Sequence, residues 1–385
     1  MPDATASALK QFEARFTKSF GAGSLRCDGV IHPYEVIPTG SLDLDYKTGV
    51  GGYVEGRLNE IWGPEGMGKS TINLLGIAQA QRKYPNKRTA WIDMEHVFDE
   101  AWAQALGVDL KRLYIYPPDN AEDVADAMKE FLVSGIFSMV VLDSIGGMIP
   151  EAEKAKDANE EVMARQAKIV TRMVKIAAVE AARSSTVVNL INQVRANLSY
   201  GADTTTGGGF ALKHATTMKL KLKRTDDPPF VVTVGGVKHF VGHKIAIQIE
   251  RLKVAPKGQT AIISFFNQPT AKYGPIGIDR ADEAASLGIT LGIIEQGGAW
   301  YTFPDGEKVN GREKVVEHLR SHPDAVEEIR EKAIATRAHE VVLTEAPSPE
   351  VEAMDNLKSK VKGGAKRKTG TPNFRSAAEV AREQG

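Results

Sequence analysis

Gly63, Pro64, Glu65, Gly66, Met67, Gly68, Lys69, Ser70 and Thr71 form an unbroken run. It fits the phosphate-binding pattern G-x-x-x-x-G-K-S. The apolar stretch Leu58–Trp62 leads into it and a helical pattern from Thr71 follows. This context matters because such a loop works where a strand delivers it and a helix N-terminus receives the phosphates. The glycines let the backbone wrap tightly, so that its N–H groups form an anion nest. Lys69 is expected on the β/γ oxygens and the Ser70 hydroxyl on Mg2+. The run therefore predicts binding of a nucleoside triphosphate together with Mg2+.

Outward from this loop, apolar runs alternate with helical patterns. Strands are expected at Leu58–Trp62, Thr89–Asp93, Leu113–Tyr116, Ser138–Asp143, Thr186–Asn192, Met218–Lys223, Ile245–Leu252 and Ala261–Phe265. Helices are expected near 70–82, 99–106, 120–134 and 160–183. Apolar strands spaced by helices indicate an α/β fold whose mixed, mostly parallel sheet is covered on both faces. The late strands lack intervening helices, which points to an antiparallel end. The division expected is an N-terminal arm at 1–33, a core at 34–268, a small C-terminal α/β domain at 269–338 and a flexible basic tail at 339–385. Leu9, Phe12, Phe16 and Phe20 make an aromatic stripe on a helix ahead of the core. That stripe either folds back or packs on another subunit.

Composition narrows the setting. The chain has 385 residues, 42% hydrophobic and 25% charged, with 49 basic and 49 acidic side chains. At zero net charge, polyanion binding has to come from local patches. One such patch is the tail, where Lys358, Lys360, Lys362, Lys366, Arg367 and Lys368 crowd together without an acid. The single cysteine, Cys27, leaves no disulfide framework or cysteine metal cage and fits a cytoplasmic setting. No apolar run suits a signal peptide or a membrane span.

Three further strand tips carry chemistry. Asp143 ends Met139-Val-Val-Leu beside Ser144, the place of a carboxylate that holds Mg2+. Asp93 and Glu95 both follow Trp91-Ile, and either could polarise a water. Their spacing of two puts them on one side of an extended segment and does not choose between them. Gln193 closes Leu190-Ile-Asn and could hydrogen-bond a γ-phosphate. A Gly- and Thr-rich stretch follows it directly, an arrangement suited to coupling nucleotide state to a bound partner.

These elements in this order resemble the RecA family of bacterial and phage DNA strand-exchange recombinases over about residues 8–338. The resemblance is carried by Ser41-Leu-Asp-Leu-Asp, the 63–71 loop, Ile92-Asp-Met-Glu-His, Leu106-Gly-Val-Asp, Val141-Leu-Asp-Ser, Ile191-Asn-Gln-Val-Arg, Thr204–Gly208 with Ala211-Leu-Lys, and Gly298-Ala-Trp-Tyr. It implies a RecA-like P-loop ATPase core, an N-terminal oligomerisation helix and helical filaments on single-stranded DNA. It also implies homologous pairing with duplex DNA, and a place in recombination, repair of DNA damage and the SOS response. Single-strand-binding and mediator proteins are further partners it suggests, and no membrane.

Residue by residue, the resemblance gives Glu95 water activation, Gln193 the γ-phosphate sensor, and Asp143 with Ser144 the Mg2+ strand tip. Asp99 and Trp102 flank adenine, and Arg251 with Lys253 reaches the neighbouring subunit's γ-phosphate. Two DNA segments fall at about Glu153–Lys168 and Val194–Gly209. Lys168, Arg195, Lys213, Lys219 and the amides of Gly207, Gly208 and Gly209 are the expected phosphate contacts. Met163 and Leu198 are expected wedges between bases, with Tyr200 as a stacking group.

The chain departs from the family pattern in its charged stretch Lys154–Glu161, in the extra Gly209, in His214 where an aromatic is usual, and in its basic tail. These features suggest a phage-encoded or otherwise divergent member. A ring-forming motor of similar core and a low-turnover DNA-filament mediator stand as alternatives.

Overall fold

A computed structural model describes residues 2–21, 33–150, 160–195, 205–206, 209–256, 258–271 and 273–345. Leu198, Tyr200, Gly207, Gly208, residues 154–159 of the charged stretch and the basic tail lie outside the described residues.

The chain opens with α1 (Pro2–Phe20), then β1 (Val36–Ile37), α2 (Leu42–Thr48) and β2 (Tyr53–Val54). The nucleotide half follows as β3 (Leu58–Gly63), α3 (Lys69–Lys83), β4 (Arg88–Asp93), α4 (Glu100–Ala105), β5 (Leu113–Tyr116), α5 (Ala121–Val133), β6 (Phe137–Asp143), α6 (Glu160–Ser184) and β7 (Val187–Arg195). Next come β8 (Thr205–Thr206), α7 (Gly209–Ala215), β9 (Thr216–Arg224), β10 (Phe230–Val234), β11 (Val237–Leu252) and β12 (Thr260–Phe266). The C-terminal part holds β13 (Gly277–Ile278), α8 (Arg280–Thr290), β14 (Glu295–Gly297), β15 (Trp300–Thr302), β16 (Lys308–Asn310), α9 (Arg312–Ser321) and α10 (Pro323–Glu345).

The main sheet runs β13-β12-β11-β9-β3-β7-β6-β4-β5. From β9 through β5 its neighbours are parallel, whereas β11 is antiparallel to both β9 and β12. The parallel centre is buried on both faces, and β6 is buried at every position. This accounts for its unbroken apolar sequence, since each buried Val or Leu contributes about 1.5–3 kcal/mol. One face packs on α3 through Ile61, Ile72, Ile77 and Ile191. The other packs on α5 and α6 through Val124, Met128, Val170 and Val174.

Helix starts follow local capping chemistry. Ser41, Asp99, Asn120 and Asp279 each accept a backbone N–H from the first turn of the helix that they precede. The C-terminal unit has its own core of Ala284, Leu287, Ile294, Tyr301, Val315 and Ile329. It docks on α2: Glu283 accepts from the Ser41 hydroxyl at 2.7 Å and from the Leu42 N–H at 2.8 Å, and Arg330 meets the buried Asp45 at 3.1 Å.

All eight expected strands form. Three differences matter. β11 begins at Val237, eight residues before the apolar alternation starts, because its first half pairs with β10 in an exposed hairpin closed by Gly235 and Gly236. That ribbon buries little, so it leaves no periodic signature. α2 is only seven residues long and is held by its caps. Finally, α10 continues through Glu345, past the boundary expected at 338.

Candidate nucleotide site

The strands β3, β4, β6 and β7 point their C-terminal ends toward the same edge, and the loop of residues 64–68 closes over it. Gly66 and Gly68 have φ of 71° and 78°, in the left-handed region that a side chain resists. Met67, between them, is half-buried against the hydrophobic core and anchors the loop from behind. A cavity of about 340 Å³ opens in front. It is lined by Glu65, Gly66, Gly68, Lys69, Ser70, Thr71, Glu95, Trp102, Asp143 and Gln193, and on its far side by Phe240, Gly242, His243, Phe265, Phe266 and Asn267.

Within it the Lys69 ammonium donates to the Gly63 carbonyl at 3.1 Å and the Pro64 carbonyl at 2.8 Å. Burial lowers its pKa from the usual lysine value, opposed by the charges of Asp143, Glu95 and Glu65. Ser70 Oγ donates to Asp143 Oδ2 at 2.8 Å. Burial pushes the Asp143 carboxyl up to about 6; the Ser70 hydrogen bond opposes this, and the Glu95 and Asp93 charges add to it. Carboxylates converging beside a single lysine make a site short of positive charge. A hard divalent cation with oxygen ligands fits that deficit, and Ser70 and Asp143 supply the oxygens.

The two carboxylates that spacing left open have different surroundings. Asp93 is buried and accepts the Phe98 N–H at 3.0 Å, so it braces the turn after β4. Glu95 lines the cavity and accepts from Ser144 Oγ at 2.7 Å and from Gln193 Nε2 at 2.6 Å. Three strand tips thus meet on one carboxylate. Trp102 lines the cavity and its Nε1 reaches Thr71 Oγ1 at 3.3 Å. Asp99 lies outside the lining and caps α4 through the Trp102 N–H at 2.8 Å.

Arg251 and Lys253 do not line this cavity. They donate to the carbonyls of Lys213 and His214, at the C-terminal end of α7. Lys168 is exposed on α6 and Lys213 on α7. Met163 sits in the first turn of α6, Arg195 ends β7, and Gly209 starts α7. Lys219, expected on DNA, lies on β9 of the sheet. It ion-pairs with the buried Glu60 at 3.3 Å and sits 4.9 Å over the Trp62 ring.

Two sets of residues escaped the sequence reading. Arg172 and Lys175 share the exposed face of α6 with Lys168, and the spacing of four and three could have revealed them. The aromatic far wall could not have been found that way. Phe240 and His243 stack at 6.2 Å although three residues apart, because a bulge between β10 and β11 inserts one residue between them.

Comparison with known proteins gives the family. The RecA N-terminal domain family matches residues 4–269 and the RecA C-terminal domain family residues 283–337. This chain belongs to the RecA family. It is 36% identical over 336 residues to Protein RecA of Thermotoga neapolitana, covering 85% of this chain and 92% of that one. Protein RecA of Acholeplasma laidlawii is 34% identical over 329 residues, covering 84% and 94%. That of Thermus thermophilus is 33% identical over 347 residues, covering 89% and 98%. Among the described residues no helix is long and apolar enough to cross a membrane.

Proposed function

We propose that this RecA-family chain is a DNA-dependent ATPase that forms helical filaments on single-stranded DNA and exchanges homologous strands. The observation that carries the reading is the meeting of Ser144 and Gln193 on Glu95 in front of the phosphate loop. It joins a candidate base to a candidate sensor at the root of the DNA-facing segment.

The loop N–H groups and Lys69 hold the phosphates, Lys69 exchanging its two loop carbonyls for phosphate oxygens. Ser70 and Asp143 would hold Mg2+, which would offset the negative charge of the triphosphate. Glu95 orients the attacking water and accepts its proton. Trp102 gives the base a stacking face. Gln193 faces a choice between Glu95 and the γ-phosphate, so loss of that phosphate changes its partner. β7 carries the change onward: Val194 and Arg195 pair with Thr206 and Thr205 of β8, and α7 follows. Arg251 and Lys253, held at the end of α7, would reach a neighbour's nucleotide and make hydrolysis depend on assembly. DNA phosphates would lie along Lys168, Arg172, Lys175 and Lys213. The exposed Leu9, Phe12 and Phe20 of α1 suit docking on the next subunit.

ATP hydrolysis with and without single-stranded DNA, strand exchange between homologous substrates, and unwinding of a forked duplex test the proposal together. DNA-stimulated hydrolysis with strand exchange is expected. Unwinding without exchange would identify a ring motor, and filaments without turnover a mediator.

A further inference from the structure

Beneath the phosphate loop, three side chains break the apolar character that a doubly covered parallel sheet calls for. Asn59 of β3, Asn73 of α3 and Asn189 of β7 are each 0% exposed. Asn59 and Asn189 sit opposite one another in the parallel register. Asn59 Nδ2 donates to Asn189 Oδ1 at 2.9 Å, and Asn189 Nδ2 donates to Asn73 Oδ1 at 2.8 Å. Asn73 Nδ2 then donates to the Lys69 backbone carbonyl at 2.8 Å.

Chemistry fixes the direction of this chain. A backbone carbonyl only accepts, so Asn73 must turn its amide nitrogen toward Lys69 and its oxygen toward Asn189. Asn189 must then present nitrogen to Asn73 and oxygen to Asn59. The amide dipoles therefore line up head to tail, which strengthens each link. In a planar trans peptide the C=O and the following N–H point opposite ways. A carbonyl of Lys69 held from below thus sends the Ser70 N–H up toward the phosphate side. The spacing is consistent: Asn59 lies four residues before Gly63, Asn189 four before Gln193, and Asn73 four after Lys69.

We propose that Asn59, Asn189 and Asn73 are positioning residues for the nucleotide site, a one-way chain of buried amides that orients the Lys69–Ser70 peptide and ties it to the strand ending in Gln193. This rests on the reading of the 63–71 loop as a nucleotide site. The chain acts on binding, because the Ser70 N–H meets phosphate before any bond breaks. It therefore acts on ATP and ADP alike.

The test removes the whole chain at once, so that no amide is left buried without a partner. The variant Asn59→Val/Asn73→Val/Asn189→Val should melt near the wild-type temperature. It should bind both MgATP and MgADP about tenfold more weakly, as expected for misaligning one charge-assisted hydrogen bond, with kcat nearly unchanged. A folded variant with wild-type affinity overturns the proposal. A wild-type protein that binds neither nucleotide overturns instead the reading of the loop. Asn73→Asp gives an independent readout if the triple variant does not fold. Its protonated carboxyl can donate to the Lys69 carbonyl and its ionised form cannot, so nucleotide affinity should fall with rising pH relative to wild type. The same pH profile for both proteins also overturns the proposal.

Discussion

At the scale of single residues, the decisive contrast is between Asp93 and Glu95, two acids on one short segment with different surroundings. Glu95→Gln should leave nucleotide binding intact and slow ATP hydrolysis about 10²–10⁴-fold, the usual contribution of a general base. Single-turnover hydrolysis beside a nucleotide titration measures both. Normal hydrolysis in this variant would remove Glu95 from the mechanism. Lys69→Ala should instead weaken nucleotide binding itself, because among the described residues the cavity has no second lysine or arginine in its lining. Met67 is the one large apolar side chain in the 63–71 run, and its half-buried contact with the core supplies the reason. The loop glycines and lysine were legible because the phosphate nest is built from consecutive residues. Spacing did not choose between Asp93 and Glu95, and only the resemblance named Glu95, because the choice depends on the Phe98 N–H and on Gln193, which is far along the chain.

At the scale of elements, the contact of α8 and α10 with α2 holds two buried acids with different partners. Asp45 accepts from the Thr39 N–H and hydroxyl at 2.8 Å each and pairs with Arg330. Asp45→Ala leaves that cation with the Gly51 carbonyl but no carboxylate and should cost about 3–5 kcal/mol in urea unfolding. Among the described residues no cation stands against Glu283. Burial pushes its carboxyl up to about 8, the Ser41 and Leu42 hydrogen bonds oppose the shift, and Asp43 and Asp45 add to it. Unfolded, it titrates near 4.5. Between those values the folded chain keeps a proton that the unfolded chain has released. The stability from Glu283 is thus complete below pH 4.5 and is lost as pH rises to about 8, by at most about 1.4 kcal/mol per pH unit. Melting temperatures of wild type and Glu283→Gln across this range should show a fall that the variant lacks; parallel curves would exclude it. Capping residues such as Ser41 and Asp279 are readable in sequence, but their long-range partners are not.

At the scale of the whole molecule, neutral net charge leaves polyanion binding to particular faces. The exposed ridge of Lys168, Arg172 and Lys175 spans about 10 Å of helix at 1.5 Å per residue. Replacing all three with alanine should weaken single-stranded DNA binding and lower the slope of log K against log salt by about 2, at about 0.7 per phosphate contact. Lys219→Ala should leave that slope unchanged and lower thermal stability, since Lys219 serves the Glu60 and Trp62 contact. A changed slope in Lys219→Ala would return that residue to the DNA path.

By itself the sequence determined the alternation of strands and helices, the phosphate loop and the strand tips Asp143 and Gln193. Each of these is written in neighbouring residues, as a period or as a fixed spacing. Only the tertiary structure decided which acid lines the cavity, how Lys219 meets Glu60 and how Phe240 joins His243. It also brought three asparagines 14 and 116 residues apart along the chain into one line. Those outcomes depend on strand order and register, and hydrogen bonds between distant strands leave no local pattern to read.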